Sequence, residues 1–278
     1  HEQKKSEQLL LAVNREYTNL LDQIQDVYYR SDVQGRLIKA SRSWATLLGY
    51  DSLDECLGRN IADDFYMNPD DRKHFLEEVQ REGRVTNYPV ILRKKDGSPV
   101  PVETSSHFYF DAAGNNLGIE GTFRDITERK KQESILRTQL KLGLDLQKAY
   151  GMQEILALCL DAALEISGMD AGGIYYADEN TGVLDLAISL NLGEEFVARV
   201  THFPPDSVNS QVVSAGKPVY AHINKGSTFL TPGLESEGIR SIAIIPILVD
   251  GQPVACMNVT SHIIDRIEEP ACVALETI

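Results

Sequence analysis

The sequence is short of positive charge: 27 Lys and Arg stand against 41 Asp and Glu, a formal net charge of −14. That balance excludes non-specific nucleic-acid binding, which rests on neutralising phosphates with cationic side chains, and it disfavours docking on anionic lipid. Cysteine is sparse as well. Cys56, Cys159, Cys256 and Cys272 are scattered with no Cys-x-x-Cys pair, a spacing that fits neither a disulfide framework nor a zinc site. Free thiols imply a reducing compartment, so a cytoplasmic location is expected. No apolar run approaches the ~20 residues of a membrane span, and no signal peptide opens the chain. A Gly-rich nucleotide loop is absent too.

What is present suffices for two ordinary domains, each with its own core, in 278 residues of which 42% are hydrophobic. Residues 1–26 carry Leu10, Val13, Tyr17, Leu20 and Ile24, with Val27 next in step, at alternating spacings of three and four. That is the seam of a coiled coil, and it predicts a parallel homodimer through helices. From Val27 the period becomes β. Strands are expected at 27–31, 36–40, 85–94, 98–110 and 117–124, and helices at 41–48, 52–57 and 69–82. Such an antiparallel sheet with its helices inserted after the second strand is an α+β domain. Strand parity places Val100, Val102, Phe108 and Phe110, with Tyr88, Val90 and Leu92, on the inner face. The outer face, with Ile91, Glu103, His107 and Tyr109, is apolar enough to predict a cover, either the N-terminal helix or a second subunit.

The stretch Asp125-Ile126-Thr127-Glu128-Arg129-Lys130-Lys131-Gln132-Glu133 separates this domain from the next. Asp125 with Glu128, or Thr127 alone, can cap a helix here. The basic run that follows lies in the first turns, where the helix dipole disfavours cations. Residues 2–10 echo residues 128–136, which predicts a further copy of the first domain upstream. A connecting helix is expected over 127–150 and a second α+β domain over 151–278. There helices are expected at 152–167, 194–200 and 210–214, and strands at 172–177, 183–189, 219–222, 241–249 and 253–261. A helix from Pro270 has no stop signal before Ile278, so the natural chain is expected to continue.

Four segments resemble the PAS domain with its PAC motif: Ser43-Trp44-Ala45-Thr46-Leu47-Leu48-Gly49-Tyr50, Asn68-Pro69-Asp70-Asp71-Arg72, Arg93-Lys94-Lys95-Asp96-Gly97-Ser98 and Asp125-Ile126-Thr127-Glu128-Arg129. The second half resembles a GAF domain in Ala162-Ala163-Leu164-Glu165-Ile166-Ser167-Gly168, in Val213-Ser214-Ala215-Gly216-Lys217-Pro218-Val219 and in Gly238-Ile239-Arg240-Ser241-Ile242-Ala243-Ile244-Ile245-Pro246. The pair resembles the sensory region of a multidomain sensor histidine kinase. The resemblance implies a small-molecule cavity in each domain, a signal passed along helices, and a kinase or other output domain elsewhere in the same chain. In the first domain the cavity is expected at Tyr29, Trp44, Tyr88, Val90, Leu92, Phe108 and Phe123. In the second it is expected at Tyr175, His222, Cys256 and Asn258. Signal coupling is assigned to Asp125, Ile126 and Thr127.

No catalytic core is expected. The six histidines lack the His-Glu surroundings of a phosphoacceptor. Haem is disfavoured: His74 lies on the helix that carries the iron ligand in haem-binding PAS sensors, but two residues out of place, with Arg72 at the matching position. Flavin lacks its reactive-Cys run and bilin its binding loop, so the cofactor stays unassigned. Asn224-Lys225-Gly226 departs from the cyclic-nucleotide signature of some GAF domains. Two further readings stand beside sensing. One is a ligand-free dimerisation scaffold. The other is a methionine sulfoxide reductase, which needs Cys256 within disulfide reach of another Cys.

Overall fold

The computed structural model describes residues 26–178, 180–223 and 234–278. The expected coiled coil over 1–26, apart from Asp26, and Asn224-Lys225-Gly226 thus lie outside the described residues. The chain divides into two compact units, one ending at Lys130 and the other starting at Lys131. Both are α+β.

In the first unit β1 (Val27–Asp32), β2 (Leu37–Ala40), β3 (Arg84–Arg93), β4 (Pro99–Phe110) and β5 (Asn116–Asp125) form an antiparallel sheet in the order β2-β1-β5-β4-β3. Between β2 and β3 run α1 (Ser43–Leu48), a 3₁₀ turn (Leu53–Glu55), a π-helical turn (Ile61–Phe65) and α2 (Pro69–Glu82). The helix expected at 52–57 shrinks to that 3₁₀ turn. The π-helical turn was not foreseen; the Asn60 side chain nucleates it by accepting from the Ala62 and Asp63 amides at 2.9 and 3.4 Å. α2 has the expected bounds: Asn68 caps it, Pro69 opens it, and Gly83 closes it at φ 76°.

The inner face of the sheet and the helices enclose one core, in which Trp44 packs edge-on against Phe65 and Phe123. Two register shifts modify the strand parity. Between Val85 and Tyr88 two residues of β3 oppose one of β4, and Asn87 takes a positive φ of 51° there. This β-bulge lets Val85 and Val90, of opposite parity, both face the core. A second shift, between Tyr109 and Phe110, turns Phe110 outward, where it is 58% exposed. Phe110 thus departs from the inward set. The outer face is polar as well as apolar. Glu120 accepts from Tyr28 and Arg30, and the Arg30 guanidinium stacks 4.4 Å from the Tyr109 ring.

α3 (Thr127–Leu146) stops short of residue 150, and α4 (Met152–Ser167) follows. In the second unit Ile135 and Leu142 of α3 turn toward the unit, whereas Leu136, Leu140 and Leu144, each four residues on, share an exposed face. The strands are β6 (Ala171–Ala177), β7 (Leu184–Leu190), β8 (His202–Phe203), β9 (Val219–His222), β10 (Ser241–Val249) and β11 (Gln252–Ser261). They form a sheet in the order β8-β7-β6-β11-β10-β9. α5 (Glu194–Val200), α6 (Val208–Ala215), α7 (Leu234–Glu237) and α8 (Glu269–Leu275) complete the described elements. The sheet separates two cores. One holds Leu160, Ile174, Ala243, Met257 and Leu275; the other holds Tyr175, Phe196, Phe203, Ile244 and Cys256.

Where β11 ends, Asp170 ties it to the start of β6. Its carboxylate accepts from Ser261 Oγ at 2.6 Å, from the His262 amide at 2.9 Å, and from the His262 ring. Burial alone would raise this carboxyl, but those hydrogen bonds outweigh it and hold Asp170 below the usual range. A depressed carboxylate contributes stability in full above its unfolded pKa of about 4 and loses it as pH falls through the lower folded value. Asp170→Asn is therefore expected to lower the urea midpoint of the second unit at pH 7. The wild-type advantage should shrink below about pH 4, as urea titrations at pH 3, 5 and 7 would show.

Candidate functional site

In the first unit the sheet brings Tyr29, Trp44, Val90, Leu92 and Phe123 to one small cavity of about 20 Å³, together with Ile61, Tyr66, Arg72, Val102 and Thr104. Tyr88 faces the same core but does not line it; it packs edge-on against Phe75 at 5.7 Å. Phe108 lies further along β4 and lines a second, larger recess of about 220 Å³. Ser31, Gln34, Asn60, Ala62, Leu76 and Ile119 share that recess, and Arg72 lines both spaces.

Arg72 is the residue that sequence reasoning missed as a site group. It sits three residues before Phe75 and seven before Val79, on the face of α2 that the core buries, and is 4% exposed. His74, two residues on, is exposed. The Arg72 guanidinium donates from Nη1 to Tyr66 Oη at 3.2 Å, interacts with the Tyr29 hydroxyl, and lies 4.5 Å from the Phe75 ring centroid. No carboxylate is among its partners in the described residues. Burial, the largest effect, pushes the Tyr66 phenol up to about 12 despite the adjacent cation, so Tyr66 stays neutral.

The hydroxyls beyond Arg72 form a directed chain. Thr104 Oγ1 donates its single proton to the Thr122 carbonyl at 3.0 Å. It must then accept from Ser106 Oγ at 2.8 Å, and Ser106 must accept from Tyr29 Oη at 3.0 Å. The Tyr29 oxygen is left with its lone pairs for the guanidinium. Neutral dipoles and a cation–π contact, worth about 2 kcal/mol when desolvated, offset only part of the several kcal/mol that burying a cation costs.

In the second unit Tyr175 and Asn258 line a small cavity, also of about 20 Å³, with Phe196, Phe203 and Ile242. Cys256 shares their face of the sheet and its thiol donates to Asn258 Oδ1 at 3.0 Å. Burial pushes that thiol up to about 12, which keeps it protonated and unreactive. Burial likewise raises the Tyr175 phenol. His222 is not part of this group. It ends the edge strand β9, exposed, with Nδ1 3.2 Å from the Asp265 carbonyl oxygen. Cys272 packs on the other core, across the sheet from Cys256, so the two thiols do not form the pair a reductase requires. Among the described residues no group of three metal-ligating side chains occurs.

The coupling residues lie where β5 becomes α3. Asp125 Oδ1 accepts from the Thr127 amide at 2.8 Å and so caps the helix. Ile126 is buried, and its amide donates to the Pro101 carbonyl of β4 at 3.1 Å.

Residues 26–128 match the model of the PAS domain family, and residues 149–276 match that of the GAF domain family. Among curated proteins, Sporulation kinase C of Bacillus subtilis (strain 168) is 24% identical over 146 residues, 52% of this chain and 34% of that one. The chain thus spans about a third of that relative's length. Among solved structures, the PAS domain of an HTR-like protein from Haloarcula marismortui is 23% identical, with a TM-score of 0.38 over 44% of this chain and 99% of that one. The GAF domain of a phosphoenolpyruvate-protein phosphotransferase from Coxiella burnetii is 16% identical, with a TM-score of 0.46 over 52% and 88%. The chromophore-binding domain of Stigmatella aurantiaca phytochrome P1 is 16% identical, with a TM-score of 0.39 over 92% and 96%.

Proposed function

The chain carries a PAS domain followed by a GAF domain, and from that premise we propose that it is the sensing and relay region of a sensor histidine kinase. Occupancy of the PAS domain shifts β5, and β5 shifts the helix it feeds. The single observation behind this reading is the seam at Ile126. Phe123 lines the PAS cavity, Ile126 is buried three residues on, and α3 begins at Thr127. A displacement of the cavity wall therefore reaches the helix through a few covalently linked, packed residues, with no mobile loop between. The kinase output rests on the likeness to Sporulation kinase C and lies outside the sensing domains.

Asp125→Ala in the full-length protein is the test. It removes a cap, at a cost of about 1 kcal/mol, and loosens the start of the helix. Autophosphorylation is expected to lose its dependence on stimulus while the PAS domain stays folded. An unchanged stimulus response together with unchanged stability would end the relay reading. A second reading, a dimerisation scaffold that binds nothing, draws on one observation: the two small cavities, about 20 Å³ each, have room for about one water apiece.

A further inference from the structure

We propose that Arg72 anchors a binding site for a small organic carboxylate with a short apolar tail, seated in the recess between β1, the Asn60 turn, α2 and β5. The inference rests on reading the PAS domain as a sensor and supplies the class of its ligand. A guanidinium that is 4% exposed, with only phenol oxygens and aromatic faces as partners among the described residues, is a buried cation whose counter-charge those residues do not supply. Its planar fork of donors matches a carboxylate in two parallel hydrogen bonds.

The recess around it has the polarity such a ligand needs. Leu76, Phe108, Ala62 and Ile119 offer an apolar wall for a tail, while Ser31, Gln34, Asn60 and Asn116 bring polar groups. The acidic group in the lining, Asp32, is engaged elsewhere, accepting from the Gln34 and Arg36 amides at 3.0 and 2.8 Å. The recess volume of about 220 Å³ is roughly ten times that of the neighbouring cavity, about 20 Å³, which admits about one water. The larger volume is below the roughly 300–1,000 Å³ of pockets that bury drug-sized ligands and cofactors, and suits a carboxylate of about six carbons. The hydroxyl chain from Tyr29 to Thr122 holds Arg72 in place from behind, so the cation is positioned before the ligand arrives.

The test titrates sodium hexanoate, hexanamide and inorganic phosphate into the 278-residue chain by calorimetry, with the Arg Nε–H resonances followed by NMR. Hexanoate is expected to bind saturably and to move one buried Arg resonance. Hexanamide, the same shape without the charge, should bind at least about tenfold more weakly. Arg72→Met should abolish binding, and Arg72→Lys, which keeps the charge but loses the fork, should weaken it at least about tenfold. Hexanoate that does not bind the wild type, or hexanamide that binds as well, overturns the proposal. So does phosphate binding in preference to hexanoate. Should Arg72→Met not fold, the wild-type resonance decides: binding that leaves every buried Arg signal in place overturns it. Absence of hexanoate binding alongside a stimulus-independent output in Asp125→Ala would sink this inference and leave the relay standing; hexanoate binding with an unchanged Asp125→Ala response would do the reverse.

Discussion

Trp44→Ala is expected to destabilise the PAS domain by about 3–5 kcal/mol, a large share of the roughly 5–15 kcal/mol that holds a domain together. The indole is 1% exposed and meets Phe65 and Phe123 at ring-centroid distances of 5.1 and 5.2 Å, both edge-on. Removing it takes away the burial of a large side chain and two aromatic contacts. It also leaves a void beside a cavity that already exists, where neighbouring rings cannot collapse without abandoning Tyr29 and Phe123. Thermal unfolding followed by far-UV circular dichroism should show the PAS transition shifted down and the GAF transition unmoved. Trp44→Phe, which keeps an aromatic ring at the site, should cost distinctly less. An alanine variant as stable as wild type would contradict the packing described here.

Gly121→Ala is expected to cost about 3 kcal/mol, the upper part of the range for overpacking. A Cβ at this position of β5 would lie 2.2 Å from Ser106 Oγ and 2.3 Å from the Ser105 carbonyl oxygen. The serine hydroxyl can rotate away, but the carbonyl is part of the strand and must shift with it. The missing side chain is what lets Ser106 stand between Tyr29 and Thr104, so the substitution also breaks the hydroxyl chain behind Arg72. The sole tryptophan of the chain, Trp44, lies in the PAS core, and its fluorescence follows this domain alone. With an urea m-value of about 1–3 kcal/mol per molar, the fluorescence midpoint should fall by at least about 1 M. A midpoint within experimental error of wild type would show that β4 and β5 have slack at this point.

Much of this architecture was legible because periodicity reports which face is buried. The bounds of α2, α4 and α5 coincide with the expected ones, since Asn68-Pro69 opens one helix and glycines close two of them. The inward parity of Val100, Val102, Val90 and Leu92 holds for the same reason. Bulges were not legible. An inserted residue such as Asn87 carries no special chemistry, yet it reverses the parity of everything before it, and this is why Val85 faces the core. The shift at Tyr109 likewise misplaced Phe110. His222 belongs to a strand, but only sheet order tells an edge strand from a central one. Arg72 was hidden by its type, because an arginine on a helix is ordinarily taken for a solvent-facing residue. Its spacing to Phe75 and Val79 was the available signal, and it placed the guanidinium on the buried face of α2.

The bulge in β3 bears on a different property of the molecule. β3 is an edge strand, ten residues long, and a long straight edge is a template on which further chains can add. Here the strand is bent at Asn87 and lacks an amide hydrogen at Pro89, with Arg84 and Arg93 at its two ends. A second strand approaching it would meet a kink, a missing donor and like charges. The irregularity that turns Val85 inward thereby makes this edge of the sheet a poorer template for further strands.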